Sequence, residues 1–188
     1  MAKKELLTGE QRENILELNQ LSEFEFASYY SLSDDDIDVI NHHRRDSNRL
    51  GFAIQLCLVR YPGCTLSNIK KVPQDLIQYV ADQINVDSDV FSSYATRNTT
   101  KREHLEEIRQ IYGYKNFDNY YSERIFKTLI QNAQENNNAL FLIQTAINLL
   151  RDDKIILPTI LTIEKLVRSA RKQPEAIIFY IFVFKSCF

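Results

Sequence analysis

The sequence is poor in the residue types that define several protein classes. Only four glycines and four prolines occur among its 188 residues, and because these residues form most tight turns, a fold of many short strands is disfavoured. Its three cysteines, Cys57, Cys64 and Cys187, are odd in number and include no Cys-x-x-Cys pair. They indicate free thiols in a cytoplasmic protein rather than a disulfide framework or a zinc site.

Long apolar segments are also missing. The longest apolar run, residues 176–184, is shorter than the roughly 20 residues that a membrane-spanning helix needs. The N-terminal residues become polar too early for a signal peptide. We therefore expect a cytoplasmic protein with no membrane partner.

Motifs of common active sites are not found either. The sequence has no phosphate-binding glycine loop and no nucleophile elbow. The acidic run at residues 34–38 lacks the glycine and the distal glutamate of a calcium loop, so we interpret it as a helix start, where the dipole favours negative charge. His104, close to Glu107, is interpreted as a residue of a surface helix. The sequence therefore predicts no catalytic site, no metal site and no cofactor.

Charge is distributed unevenly along the chain. Residues 1–41 contain three basic and ten acidic residues, whereas residues 42–188 contain 20 basic and 15 acidic residues, and the formal net charge of the whole is -2. An acidic arm followed by a basic body permits a polyanionic partner such as nucleic acid without requiring one.

Apolar residues recur at helical spacing through most of the chain, which predicts an all-α, compact multi-helix fold. Helix starts are predicted at Thr8 and Thr100, each of which opens a capping box, at Ser33, and at Pro73. Gly113 is expected to end the helix that follows Thr100. We expect two domains: a helical domain over residues 1–152 and a short helical piece with an atypical apolar tail over residues 153–188.

The most informative stretch is a helix predicted over residues 49–60. Between its terminal arginines only Gly51 and Gln55 are not apolar, so the helix is expected to lie inside the protein. Pro62 and the following glycine end it. Residues 46–48 are all capping residues and predict a short turn before it, so that this helix and the preceding one resemble a helix-turn-helix in outline.

Two clusters of polar and basic residues are candidate contacts to a polyanion. The first precedes the buried helix and the second opens the later helix at Thr100; they are Arg44, Arg45 and Arg49, and Arg97, Asn98, Thr99, Lys101 and Arg102. Lys101 and Arg102 are predicted in the first turn of their helix, where the dipole disfavours cations and a phosphate would relieve the conflict. For Arg49 and Arg60 a structural pairing with a carboxylate such as Asp46 or Asp82 is equally compatible with the sequence.

Several motifs resemble the N-terminal domain of Tn3-type transposases, which belong to the replicative class II transposons of bacteria. The main one is the run RRDSNRLGFAIQLCLVRYPG at residues 44–63. Tyr94-Ala-Thr-Arg97, the segment from Thr100 to His104, and Ile111-Tyr-Gly-Tyr114 followed by Phe117 match in the same order. The resemblance covers roughly residues 5–172 and ends at about Gln173, so a truncated or frame-shifted copy is expected.

The resemblance implies a function in DNA transposition. In that family the helical N-terminal region binds double-stranded DNA at the terminal inverted repeats of the transposon, and three catalytic carboxylates lie far downstream. The fragment is therefore expected to be a DNA-binding module and not an enzyme, with the transposon ends and the rest of the transposase as partners, associated with the nucleoid when bound. The DNA-binding positions that we carry over are Arg44, Arg45, Arg49, Arg97, Asn98, Thr99, Lys101 and Arg102.

An alternative function is protein interaction without DNA contact. In this interpretation the chain is an oligomerisation module of the transposase, and its docking face consists of the acidic residues 1–41 with the aromatic residues Phe24, Phe26, Tyr29 and Tyr30.

Overall fold

The computed structural model describes residues 6–16, 21–94 and 98–172. These residues form α-helices and two short 3-10 helices, Leu66–Asn68 and Ser88–Ser93, and none of them lies in a β-strand. The predicted all-α fold is confirmed. The α-helices are α1 (Gly9–Asn14), α2 (Glu23–Tyr30), α3 (Asp34–Asn41), α4 (Asp46–Arg60), α5 (Gln74–Gln83), α6 (Asn98–Tyr112), α7 (Asn119–Glu135), α8 (Ala139–Asp152) and α9 (Ile160–Ala170). The likeness to a helix-turn-helix stays a prediction.

Most helices begin at a polar side chain that accepts a hydrogen bond from the first turn. Thr8, Ser22 and Ser33 form complete capping boxes at α1, α2 and α3; the sequence predicted the capping box at Thr8 and a helix cap at Ser33. The start predicted at Thr100 is wrong, because α6 begins at Asn98. Thr100 lies one turn before the buried His104, on the packed face of α6, and this packing extends the helix upstream of the local signal.

The chain divides into two compact units, one formed by Leu16–Lys115 and the other by Met1–Ile15 together with Asn116–Phe188. This grouping differs from the division expected at residue 152. The two domains expected over residues 1–152 and 153–188 stay a prediction. The apolar tail from residue 173 lies outside the described residues.

Helix α4 is the buried axis of the Leu16–Lys115 unit. Every residue from Leu50 to Val59 is buried, and α2, α3, α5, α6 and the 3-10 helix Ser88–Ser93 all pack against it. The core position predicted for this helix is confirmed. Its predicted start is wrong: residues 46–48 form its first turn rather than a separating turn, because the Arg45 carbonyl accepts the N–H groups of Asn48 and Arg49, both at 2.9 Å.

Gly51 allows another element to approach α4 closely. A Cβ atom placed on Gly51 would lie 2.1 Å from Cδ2 of Tyr94, so only glycine leaves room for the tyrosine ring. Tyr94 itself is buried, with 6% of its surface exposed. The glycine therefore fixes where the segment before α6 crosses α4.

We expect the substitution Gly51→Ala to destabilise the protein by about 2 kcal/mol, although alanine favours helix, because the added methyl group displaces a buried ring. Urea unfolding monitored by circular dichroism measures the change. Ala53→Gly, at a buried position of the same helix, is the reverse substitution; it is expected to cost only the helix propensity and one methyl group, about 1–2 kcal/mol. Gly51→Ala at wild-type stability would contradict the close packing.

The other unit has a core formed by α7, α8 and α9, each of which packs on the other two. Leu129, Leu142, Ile143, Ile163 and Val167 are almost completely buried there. The N-terminal segment joins this unit through an ion pair between Arg12 of α1 and the buried Glu164 of α9, with 3.0 Å between Nη2 and Oε1.

Within the described ranges, no helix has the length and apolar character needed to cross a membrane.

Candidate nucleic-acid interface

The turn between α3 and α4 presents two arginines to solvent. Arg44 and Arg45 are exposed, and neither guanidinium has an ion-pair partner among the described residues. Arg45 occupies the N-cap position of α4, and its side chain makes no capping hydrogen bond, because a guanidinium cannot accept one. The start of α4 therefore combines the partial positive charge of a helix N-terminus with two unpaired cations, while the carboxylate in its first turn, Asp46, is paired with Arg49. This arrangement suits an anion.

Arg49 is bound within the fold. Its Nη1 atom lies 3.2 Å from Oδ1 of Asp46, and Nη2 donates to Oδ1 of Asn41 at 2.7 Å and to the carbonyl of Ile84 at 3.3 Å. The guanidinium thus connects α4 to α3 and to the end of α5. This geometry supports the structural alternative for Arg49, with Asp46 as the carboxylate that the sequence suggested.

Arg60, at the other end of α4, is held by a buried carboxylate. Its two terminal nitrogens donate to the two oxygens of Asp36 at 2.9 and 2.5 Å, and its guanidinium lies 5.3 Å from the centre of the Tyr112 ring. The Tyr112 hydroxyl donates to the same carboxylate at 2.9 Å. Asp36 lies in the first turn of α3, as the helix-start interpretation predicts. It is also buried and joins α3, α4 and α6.

The second predicted cluster lies at the start of α6, but its members do not share one face. Lys101 is half-buried on the side that faces the core, whereas Thr99 and Arg102 are exposed. Arg102 is two residues before the buried His104 and therefore lies about 200° around the helix from it. Asn98 is the first residue of α6, and Arg97 lies outside the described residues.

The helix dipole opposes the cations of this cluster less strongly than predicted. Because α6 begins at Asn98 rather than after Thr100, Lys101 is the fourth residue of the helix and Arg102 the fifth. Both cations therefore lie beyond the first three residues of the helix, where their unfavourable interaction with the helix dipole is weaker than predicted. Neither side chain has an ion-pair partner among the described residues, so both remain available to an external anion.

A buried chain of hydrogen bonds connects α4 to α6. The Gln55 amide nitrogen donates to the Tyr94 hydroxyl at 2.6 Å and to the Lys101 carbonyl at 3.3 Å. Because a carbonyl oxygen only accepts, this second bond fixes the orientation of the amide. The hydroxyl oxygen lies 2.8 Å from Nδ1 of His104, and the tautomer of the imidazole decides which of these two atoms donates.

Ring contacts extend this chain to the arginine turn. The His43 ring lies 4.5 Å from the His104 ring and 4.5 Å from the Phe52 ring. Phe52 and His104 are in edge contact at 5.5 Å. His43 immediately precedes Arg44, so the turn, the buried axis and α6 meet at one group of packed rings.

The environment keeps these histidines uncharged. Burial, and then the neighbouring His43, lowers the pKa of His104 to about 4. Burial also lowers the pKa of His43, although Glu107, 3.7 Å from its Nε2 atom, opposes this effect. Burial raises the pKa of the Tyr94 hydroxyl, so the hydroxyl stays protonated at neutral pH.

Sequence reasoning missed this network. The surface position expected for His104 is wrong: only 6% of the residue is exposed. A signal was present in Gln55, the one polar side chain between the terminal arginines of an otherwise buried helix, because a buried amide requires partners. The partners themselves, 39 and 46 residues away for Tyr94 and Lys101, have no local signature.

The aromatic residues proposed as a docking face are mainly packing residues. Tyr30 is buried, Phe26 contacts Tyr30 and Tyr79 at 4.9 and 5.2 Å between ring centres, and Tyr29 stacks on Tyr61 at 4.0 Å. Phe24 is 81% exposed and Tyr29 37% exposed, so these two could contact a partner. These residues attach α2 to α4 and α5 instead of forming an open apolar surface, and the alternative function as an oligomerisation module stays a prediction.

The described residues contain no group of three or more His, Cys, Asp and Glu side chains that could hold a metal ion. Cys57 is a buried free thiol, in agreement with the sequence, and Cys64 is also buried. Burial raises the pKa of Cys57 to about 12, so this thiol is not a reactive nucleophile.

Comparisons with known proteins identify the family. Residues 6–170 match the family model described as domain of unknown function (DUF4158). The transposase for transposon Tn1546 of Enterococcus faecium is 40% identical over 176 residues, which cover 94% of this chain and 18% of the relative. Transposases for Tn501 of Pseudomonas aeruginosa and Tn21 of Escherichia coli are 33% and 31% identical, and each alignment covers 88% of this chain and 17% of the relative.

The chain thus spans about a sixth of the length of these relatives. The family resemblance seen in the sequence is confirmed, since the matched region includes the arginine turn, the buried axis and α6. With a family model that covers most of its length, the chain belongs to the DUF4158 family and is homologous to the N-terminal region of Tn3-type transposon transposases.

Proposed function

We propose that this chain is the DNA-binding module of a transposase and that it recognises the terminal inverted repeats of its transposon. The observation that carries the proposal is the turn between α3 and α4. There Arg44 and Arg45 are exposed beside a helix N-terminus that lacks a side-chain cap. Guanidinium groups and free backbone N–H groups together are the usual means by which proteins hold the phosphates of DNA.

The arginines of the Leu16–Lys115 unit fall into two groups, which supports this assignment. Arg49, Arg60 and Arg109 are each paired with a carboxylate, namely Asp46, Asp36 and Glu106. By contrast, Arg44, Arg45 and Arg102 are exposed and have no ion-pair partner among the described residues. Cations that the fold does not use are available for phosphate. We therefore propose Arg44, Arg45, Lys101 and Arg102 as DNA contacts, with Arg97, Asn98 and Thr99 as further candidates.

Arg49 has a different role in this proposal. Its guanidinium is already shared among Asp46, Asn41 and the Ile84 carbonyl. We propose that it supports the turn that carries Arg44 and Arg45, rather than reaching a phosphate itself.

The relatives that match are transposases, and this segment spans about a sixth of their length. We propose that the catalytic carboxylates of the complete transposase lie outside the segment. On this view the segment itself binds DNA and the remainder of the transposase performs strand transfer.

The proposal predicts salt-dependent DNA binding that depends on the turn. A fluorescent duplex carrying the terminal inverted repeat of the transposon that encodes the chain is titrated at several salt concentrations. Replacing Arg44 and Arg45 together by alanine is expected to lower the slope of log K against log salt by about 2, because each phosphate contact contributes about 0.9. Affinity at moderate salt is expected to fall roughly tenfold or more.

The matched control removes the same charge elsewhere. The double substitution Lys71→Ala and Lys165→Ala changes two exposed lysines and is expected to leave the slope close to that of the wild type. A scrambled duplex of equal length is expected to bind more weakly than the inverted repeat. Binding without salt dependence would contradict the DNA-binding proposal, and equal affinity for both duplexes would contradict recognition of the repeats.

A further inference from the structure

We infer that the buried Gln55–Tyr94–His104 network is a positioning device that fixes the DNA-contacting turn of residues 42–45 relative to the start of α6. This inference rests on the proposed function, because it assigns the network a role in presenting the DNA contacts. None of these three buried side chains is itself proposed as a DNA contact. They act through the elements that carry Arg44, Arg45, Lys101 and Arg102.

The contacts form a continuous path between the two cationic segments. Gln55 binds the backbone of α6 directly, through the carbonyl of Lys101. Tyr94 joins Gln55 to His104, and the His104 ring packs on His43, the residue next to Arg44. Each link in this path is a hydrogen bond or a ring contact within a buried region. We therefore expect a substitution at Tyr94, the centre of the path, to disturb both cationic segments.

The network is suited to fixing a position because its geometry is directional. Apolar side chains tolerate small sliding movements, whereas a buried amide, hydroxyl and imidazole must keep their bonds or leave polar atoms unsatisfied. The close approach of Tyr94 to Gly51 removes the remaining freedom of the tyrosine ring. The buried part of α4, which is otherwise apolar, thus contains one polar side chain at the point where it meets α6.

A fixed separation of the two segments matters for binding a duplex. Phosphates of DNA occur at regular intervals, so cations on two elements can contact them together only when the elements are held at a matching distance. Loss of the network is therefore expected to reduce the number of simultaneous phosphate contacts rather than to remove a contact of its own.

The test is Tyr94→Phe, which removes the hydroxyl and keeps the ring over Gly51. With folding confirmed by circular dichroism, the full chain is titrated with the inverted-repeat duplex at several salt concentrations. We expect a five- to tenfold loss of affinity and a salt slope lower by about 1. We also expect less than additive losses when Tyr94→Phe is combined with the Arg44 and Arg45 substitutions, because the turn is then already without its contacts.

Two further variants separate positioning from a loss of stability. Val80→Ala truncates a buried residue of α5 in the same unit without touching the network, and it is expected to leave the salt slope unchanged. At His104, asparagine can place an acceptor where Nδ1 lies and is expected to retain the slope. Leucine at the same position lacks an acceptor and is expected to lose it.

The outcomes distinguish this inference from the proposed function. Wild-type binding that depends on salt, with an unchanged slope in folded Tyr94→Phe and His104→Leu variants, would overturn the positioning role alone. An equal loss of slope in Val80→Ala would do the same, since the effect would then follow stability. Wild-type protein that binds without salt dependence would overturn the proposed function and the inference with it.

Discussion

Replacing Asp36 by alanine is expected to lower the free energy of unfolding by about 3–5 kcal/mol, the cost of leaving one partner of a buried ion pair without the other. The carboxylate receives both terminal nitrogens of Arg60, the Tyr112 hydroxyl and the backbone N–H of Ser33. Its removal leaves the half-buried guanidinium uncompensated and breaks the capping box of α3. Equilibrium unfolding in urea measures the change.

The matched control is Asp35→Ala, the neighbouring position in the first turn of α3. Asp35 is exposed, and its removal costs only the interaction with the helix dipole, less than about 1 kcal/mol. Equal effects of the two substitutions would show that Asp36 acts through the dipole alone and would contradict the role of the buried pair.

The ion pair between Asp36 and Arg60 also predicts that the stability of the protein falls in acid. Burial by itself raises the pKa of Asp36, but the hydrogen bonds from Arg60 and from the Ser33 backbone N–H outweigh it and lower the pKa to about 2. Because the folded-state pKa is depressed, the stabilisation by Asp36 is complete above the unfolded value near 4 and is lost as the pH falls toward 2. Arg60, exposed at its edge, remains charged throughout.

Local signals in the sequence were sufficient for most of the fold. The apolar run of α4, the capping boxes at Thr8 and Ser33, and the left-handed Gly113 (φ 75°) that follows α6 each depend on residues a few positions apart. Such features can be predicted from the sequence because their physical cause lies within one turn of helix. The start of α6 could not be predicted in this way, because packing of His104 against distant residues extends the helix beyond its local signal.

The candidate site shows the same division. The exposed arginines are visible in the sequence, yet which arginines are committed to the fold is decided by partners far along the chain. Asp36 and Asp35 are chemically identical neighbours, and only the helical register, which places Asp36 on the same face as the buried Ile40 one turn later, indicates which of them is inside. Its partner Arg60 lies 24 residues away, and no periodic pattern in the sequence indicates this pairing.

The buried histidine predicts the second large effect, a loss of stability in mild acid. Burial and the nearby His43 lower the pKa of His104 from 6.5 to about 4, so as the pH falls below 6.5 the unfolded chain takes up a proton that the folded protein excludes. The stabilisation that comes from keeping His104 neutral is therefore complete above pH 6.5. It is lost as the pH falls to the folded-state pKa, and the total loss in the free energy of unfolding is about 3 kcal/mol. Between pH 7.5 and 5.0 the expected loss is about 2 kcal/mol.

The measurement is urea unfolding at these two pH values, where most carboxylates stay ionised. His104→Asn keeps an acceptor for the Tyr94 hydroxyl but does not titrate, so it is expected to remove most of the dependence. His42→Asn, at an exposed position of the arginine turn, is expected to leave it intact. A pH dependence that survives in His104→Asn would show that another group titrates and would contradict the assignment of the acid sensitivity to His104.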